Sequence, residues 1–251
     1  MSGHSKWHSI KHKKAATDAK RGKAFSRFNK EITIAARLGG GDSDFNPRLR
    51  LAIDRAKSEN VPKDNIERAV KKGTGELEGY NLEEVSYEGY GAGGVAISIE
   101  VTTDNRNRTL PEIRHFFTKH GGNLGEAGSV AWIFKKRGYL VLEKDKIGEE
   151  DLLEIALEAG AEDVNDDGGN WEVFTSPESF EPVVKALQEK DVPIDVQQIA
   201  MIPQSHVKLE GKSVQQVLKL MEALEDHDDV SNVWANFDIE DKDIEAAMAS
   251  G

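Results

Sequence analysis

The hydrophobic positions of the first 73 residues recur at helical spacing. From about Ala15 to Leu38, the residues Phe25, Phe28, Ile32 and Ala35 fall on one face of a helix, and Gly39-Gly40-Gly41 ends it. Asn46-Pro47 is a helix start, a capping side chain followed by proline at the first helical position. Leu49, Ala52, Ile53 and Ala56 then share a face. Pro62 opens a third helix with Ile66, Ala69 and Val70 inward, Lys71 and Lys72 in its last turn and Gly73 just beyond.

After Gly79 the period changes to that of alternating strands and helices. Val85–Tyr90 and Val95–Thr102 read as strands. A helix follows, with Thr109 and Glu112 as a capping box and Leu110, Ile113, Phe116 and Phe117 inward, closed by Gly121-Gly122. Ser129–Phe134 reads as a further strand. From Gly138 the order is strand, helix (Glu149–Ala159), strand, an Asp167-Gly168-Gly169 turn, strand, helix (Ser179–Lys190), strand, which is the βαββαβ pattern of a ferredoxin-like fold. A helix capped by Ser213 and Gln216, with Val214, Val217, Leu218 and Met221 buried, and a last strand Val230–Phe237 complete the chain. The ββαβ of 80–137 cannot close a two-layer sandwich alone, and the C-terminal αβ supplies the missing pair. The pattern therefore predicts an α+β multidomain protein. A helical domain spans 1–79, a discontinuous α/β domain spans 80–137 and 204–251, and a second ferredoxin-like α/β domain, 138–203, is inserted in it.

Charge sharpens this division. The 251 residues carry a net charge of −12, yet residues 1–73 hold 18 Lys and Arg against 8 Asp and Glu, and the rest hold 15 against 37. Such a basic module joined to an acidic body predicts a polyanion partner, with 1–37 richest in cations. The inserted segment, with 4 basic and 17 acidic residues, is a poor surface for phosphates. There is no cysteine, so disulfides, thiol nucleophiles and cysteine metal sites are excluded. No apolar run reaches the ~20 residues that span a bilayer, and no secretory pattern opens the chain, which points to a cytoplasmic protein with no membrane partner. The pattern does not fix an oligomeric state.

Few strings carry chemistry. Gly89-Tyr-Gly-Ala-Gly-Gly94 fits a dinucleotide fingerprint in letters, but a strand pattern follows it, so it reads as a hairpin turn. His4, His8 and His12 are spaced like ligands, but the neighbouring lysines repel a cation, and no metal is expected. Asp163, Asp166 and Asp167 lie at a turn that favours aspartate. No nucleophile–base set, P-loop or cofactor motif is present, and no catalytic residue or cofactor is expected. Asp104-Asn-Arg-Asn-Arg-Thr109 enters a helix. It fits either phosphate recognition, with Arg106 and Arg108 as forks, or capping with the arginines bridged to acidic neighbours. The nucleic-acid-binding candidates are Lys6, Trp7, Lys11, Lys13, Lys14, Lys20, Arg21, Lys23, Arg27, Lys30, Arg48, Arg50, Arg106 and Arg108. The cations act through density, by releasing counterions, and Trp7 offers a surface on which an unpaired base can stack.

Long stretches also resemble the YebC/PmpR family. They are Gly3-His-Ser-Lys-Trp7, Lys13-Lys-Ala-Ala16, Asp18-Ala-Lys-Arg-Gly-Lys23, Leu38-Gly-Gly-Gly-Asp42 and Asn46-Pro-Arg-Leu-Arg50 at the N-terminus. Tyr87-Glu-Gly-Tyr-Gly91, Asp104–Thr109 and Gly121-Gly-Asn-Leu-Gly125 match in the middle, Ala156–Asp163 and Met201-Ile-Pro203 later. The resemblance implies a helical bundle and two α/β domains, one inserted in the other, with no enzymatic activity. It implies a cytoplasmic DNA-binding transcriptional regulator. It also implies a competing role at the ribosome, through ribosomal RNA, because mitochondrial relatives activate translation and bacterial members act on ribosomes stalled at proline-rich nascent chains.

Overall fold

The computed structural model describes residues 18–78, 81–240 and 243, with side chains of the first helix from Phe25 onward. Residues 132–206 form one compact unit. The described residues before and after them form the other.

The larger unit begins with three helices, α1 (Asp18–Gly39), α2 (Pro47–Ser58) and α3 (Lys63–Thr74). Their apolar stripes meet in a core of Ile32, Ala35, Ala36, Leu49, Ala52, Ala56, Ile66 and Ala69, with Phe25 and Phe28 packed against it. The helical period fixes these faces, and two side chains fix how the helices join. Asn46 caps α2 by accepting from the Leu49 N–H at 3.1 Å, and its amide donates to the carbonyls of Ala35 and Gly40, both at 2.8 Å. One buried side chain thus satisfies the end of α1 and the start of α2. Gly73 lets α3 approach α1 closely, since a Cβ there would lie 2.4 Å from the Thr33 carbonyl oxygen.

The rest of this unit is a four-stranded antiparallel sheet in the order β3-β1-β2-β9, built from β1 (Glu83–Tyr90), β2 (Ala96–Thr103), β3 (Asn123–Leu124) and β9 (Val230–Ala235). Helices α4 (Arg106–Lys119) and α7 (Lys212–Glu225) pack on it. Ile97, Ile99 and Val101 meet Ile113, Phe117, Val217 and Met221 in one core. The glycine-rich string is the turn between β1 and β2, with Gly93 and Gly94 at positive φ. Strand β9 reaches its place only after the intervening unit, and Asn236 ties it to β2 by accepting the Ala96 N–H at 2.8 Å. A short parallel pair, β8 (Val207–Lys208) with β10 (Phe237–Asp238), closes the unit.

The inserted unit contains β4 (Phe134–Glu143), α5 (Glu149–Glu158), β5 (Ala161–Asp166), β6 (Asn170–Thr175), α6 (Phe180–Glu189) and β7 (Val196–Pro203). Its sheet runs β5-β6-β4-β7, the order of a ferredoxin-like fold. Leu140, Leu142, Leu152, Ala156, Val173, Val183 and Leu187 are fully buried in it. The architecture is α+β, with a helical bundle and two α/β sheets, one inserted in the other.

Three local expectations are corrected. Residues 129–133 are not a strand: a single 3-10 turn covers Ala131–Ile133, and only Phe134 of the expected strand is extended, as the start of β4. The Glu88 carboxylate accepts the N–H groups of Gly128, Val130 and Ala131 at 2.6–3.0 Å, so this backbone is satisfied without a ladder. The edge strand is Asn123–Leu124 instead. Helix α4 starts three residues before Thr109, because Asn105 is the cap and accepts from the Arg108 N–H at 3.1 Å. Helix α7 is entered through Gly211 at φ 60, with no side-chain cap from Ser213.

Replacing Asn46 by Ala removes the cap of α2 and leaves the Ala35 and Gly40 carbonyls without their donor. The expected loss is about 2 kcal/mol, read as a lower urea midpoint at unchanged m-value.

Candidate nucleic-acid interface

Helix α1 is the longest of the three helices of the basic module. Lys20, Lys23, Arg27 and Lys30 occupy successive positions three and four residues apart, so they form one row along it. Lys6, Trp7, Lys11, Lys13 and Lys14 lie outside the described residues. Lys20, Arg21 and Lys23 fall in the first turns of α1.

The lower part of the row is clasped by the sheet domain of the same unit. The Arg27 guanidinium donates to the Glu225 carbonyl. Burial pushes its pKa down, opposed by the nearby charges of Glu225, Asp226 and Asp228. Lys30 Nζ donates to Asp229 Oδ1 at 2.7 Å and to the Asp228 carbonyl at 3.0 Å. Further along, Arg37 donates to the Leu82 carbonyl. Arg27 and Lys30, which the sequence assigns to a partner, are here held by the 225–229 turn between α7 and β9.

Asp229 is the centre of that contact and is 3% exposed. Besides Lys30, it accepts from Arg108 Nη2 at 2.7 Å, Thr109 Oγ1 at 2.7 Å and Thr103 Oγ1 at 3.1 Å. Burial alone pushes this carboxyl up. Hydrogen bonds from Lys30, Arg108 and Thr109, with the Lys30 charge, outweigh that and hold it well below the usual carboxylate range. The Asp229 N–H donates to His227 Nδ1 at 3.0 Å, so Nε2 carries the hydrogen shared with Glu112 at 2.7 Å. Phe116 stands edge-on to the His227 ring, centroids 5.9 Å apart.

The Asp104–Thr109 string therefore works as cap and bridge. Asn105 caps the helix, and Arg108 spans Asp104 at 3.0 Å and Asp229. Arg106 lies 3.9 Å from Glu83. Arg48 makes a two-pronged pair with Glu84, which raises its pKa chiefly through that hydrogen bond. Arg50 turns back to the Ser43 and Asp44 carbonyls. The structure thus gathers Arg27, Lys30 and Arg108 at the 225–229 turn and scatters Arg48, Arg50 and Arg106 elsewhere.

Beside Asp229 opens a cleft of about 1050 Å³ between the helical bundle and the sheet domain. Lys30, Arg68 and Lys72 line one side, Asp104, Asp226 and Asp228 the other. Arg68 is exposed and makes no hydrogen bond or ion pair among the described residues. Sequence reasoning missed Asp229, Thr103 and Arg68. Asp229 belongs to a polar run before a strand and looks like any turn aspartate. Arg68 carried a signal, since Asn65, Arg68 and Lys72 share a helical row. Among the described residues, no group of His, Cys, Asp or Glu side chains could hold a metal ion, and no helix is long and apolar enough to cross a membrane.

The Asp229 carboxylate stabilises the fold above the ordinary carboxylate pKa of about 3.9, and this contribution is lost as pH falls from there through its lower folded value. Asp229→Asn is expected to cost about 1–3 kcal/mol at pH 7. In urea melts from pH 7 to pH 2, the gap between wild type and Asp229→Asn should narrow below about pH 4.

Comparison with known proteins agrees along the whole described chain. Residues 5–76 match the model of the TACO1/YebC protein N-terminal domain, and residues 82–237 that of the TACO1/YebC second and third domain. A probable transcriptional regulatory protein of Geobacter sulfurreducens is 58% identical over 248 residues, covering 99% of this chain and 100% of its own. One from Dictyoglomus turgidum is 57% identical over 247 residues, covering 98% and 99%. The crystal structure of a conserved hypothetical protein from Aquifex aeolicus superposes with a TM-score of 0.82 at 51% identity, over 90% of this chain and 94% of that one. With both domain models matched in order and relatives similar from end to end, the chain belongs to the TACO1/YebC family.

Proposed function

We propose that this protein is a non-enzymatic regulator of gene expression that acts in the cytoplasm by binding nucleic acid, and that DNA is its target in transcriptional control. The segregation of charge carries the reading: residues 1–37 hold ten cations against two carboxylates in a chain whose net charge is −12. Its relatives bear the name probable transcriptional regulatory protein, which supports the same role. The intramolecular contacts of Arg27, Lys30 and Arg37 narrow the binding surface. The remaining cations of 1–37, Lys6 to Lys23, are the stretch we assign to phosphates. Affinity in such an interface comes from counterion release and is largely independent of base sequence.

Trp7, set within that cationic stretch, favours a second reading, a translation factor that binds ribosomal RNA. An indole between lysines suits unpaired bases, which ribosomal RNA offers and duplex DNA does not.

Replacing Lys13, Lys14, Lys20 and Arg21 by Ala is expected to flatten the dependence of log K on log salt by about three, at 0.7–0.9 for each contact, and to weaken binding to all sequences alike. Fluorescence anisotropy over a salt series measures this, with circular dichroism confirming the fold. An unchanged slope refutes the assignment. Trp7→Ala should leave duplex binding intact. If it weakens binding to single-stranded RNA by an amount on the order of 1–3 kcal/mol, with little salt dependence, the translation reading prevails.

A further inference from the structure

We infer that the 225–229 turn is an internal competitor for nucleic acid on α1, occupying Arg27 and Lys30 in the free protein and yielding them to phosphates when nucleic acid binds. The inference rests on the nucleic-acid reading above and extends it to how the affinity is limited.

The geometry favours an exchangeable contact. Lys20, Lys23, Arg27 and Lys30 lie in one helical row, so a phosphate backbone following α1 from its N-terminus meets Arg27 and Lys30 next. What these two cations hold now is chemically what a phosphate offers. Arg27 has a carbonyl oxygen, and Lys30 has a carboxylate and a carbonyl oxygen. The turn supplies Glu225, Asp226, Asp228 and Asp229 within five residues, a dense negative segment laid against the cations.

Withdrawal of Lys30 does not strand Asp229. Arg108, Thr109 and Thr103 still donate to its Oδ2, at 2.7, 2.7 and 3.1 Å. The charge therefore keeps a cationic partner and two hydroxyls on Oδ2 after the exchange, while Oδ1, which Lys30 holds, turns to water from the cleft that Asp229 lines, so the carboxylate is not left as an unpaired buried charge. The cleft gives access. Lys30 lines it, and Arg68, exposed and unpartnered among the described residues, faces it from α3 as a first contact for an arriving phosphate.

The test compares wild type with Asp229→Asn, binding random-sequence duplex DNA and, in parallel, single-stranded RNA across a salt series. Freed from competition, Asp229→Asn should bind about three- to tenfold more tightly, with a salt slope steeper by about 0.7–0.9 for each cation released. Adding Lys30→Gln should abolish the gain. Asp226→Asn with Asp228→Asn, on the exposed side of the turn, should give a gain in the same direction, and it carries the test if thermal melts show Asp229→Asn unfolded. Glu149→Gln with Glu150→Gln removes two charges from the inserted unit and controls for net charge. The inference is overturned if neither turn variant exceeds that control, or if the Asp229→Asn gain survives Lys30→Gln. Should wild type bind neither probe at any salt concentration, the nucleic-acid reading fails and takes this inference with it. Binding by wild type with no change in the turn variants refutes the competitor alone.

Discussion

A carboxylate that is 3% exposed must be paired, and the larger unit is arranged around that requirement at Asp229. Its partners come from α1, the end of β2 and the first turn of α4, and it stands itself at the start of β9. Four elements from three distant stretches of chain are thereby held at one point. The neighbouring main chain takes part: the Asp229 carbonyl accepts the Thr102 N–H at 2.8 Å, and its N–H orients His227. An apolar residue at this position would leave Lys30, Arg108 and two threonine hydroxyls competing for water, so the helical bundle and the sheet share an interface with defined register rather than a greasy contact.

Much of the architecture was legible because its signals are local. Asn46-Pro47 and the Gly39–Gly41 run mark helix ends whichever tertiary structure surrounds them, and the apolar stripes of α1, α2 and α3 bury as spaced. The βαββαβ order of the inserted unit follows from alternation and one Asp-Gly-Gly turn. What misled was backbone satisfied from afar. Val130 and Ala131 look like strand residues, but a glutamate some forty residues earlier holds their N–H groups. Thr109 fits a capping box, yet Asn105 caps the helix and frees the threonine hydroxyl for Asp229.

The interface was legible in its charge and not in its pairing. A count of lysines and arginines finds the basic module, because density is a property of composition. It cannot tell that Lys30 meets an aspartate 199 positions away, or that Arg48 meets Glu84. The effective positive surface of the module is smaller than its formal charge, because Arg27, Lys30 and Arg48 are taken up by pairs within the chain. The same long-range pairs explain how an acidic body and a basic module coexist in one chain: at their contact the opposite charges neutralise one another, and away from it each keeps its sign.

The discontinuity of the larger sheet bears on the order in which the chain acquires structure during synthesis. The four strands of the inserted unit lie within one contiguous stretch, so that unit can fold as soon as it leaves the exit tunnel. The sheet before it cannot, because β9 and α7 are among the last elements made. Until they emerge, β2 has an unpaired edge, the apolar face later covered by α7 is bare, and Arg27 and Lys30 have nothing to hold. Arg27 and Lys30 thus stay without these partners through synthesis of the whole inserted unit, while the chain is still tethered to the machine that makes it, and emergence of the 225–229 turn is what closes that state.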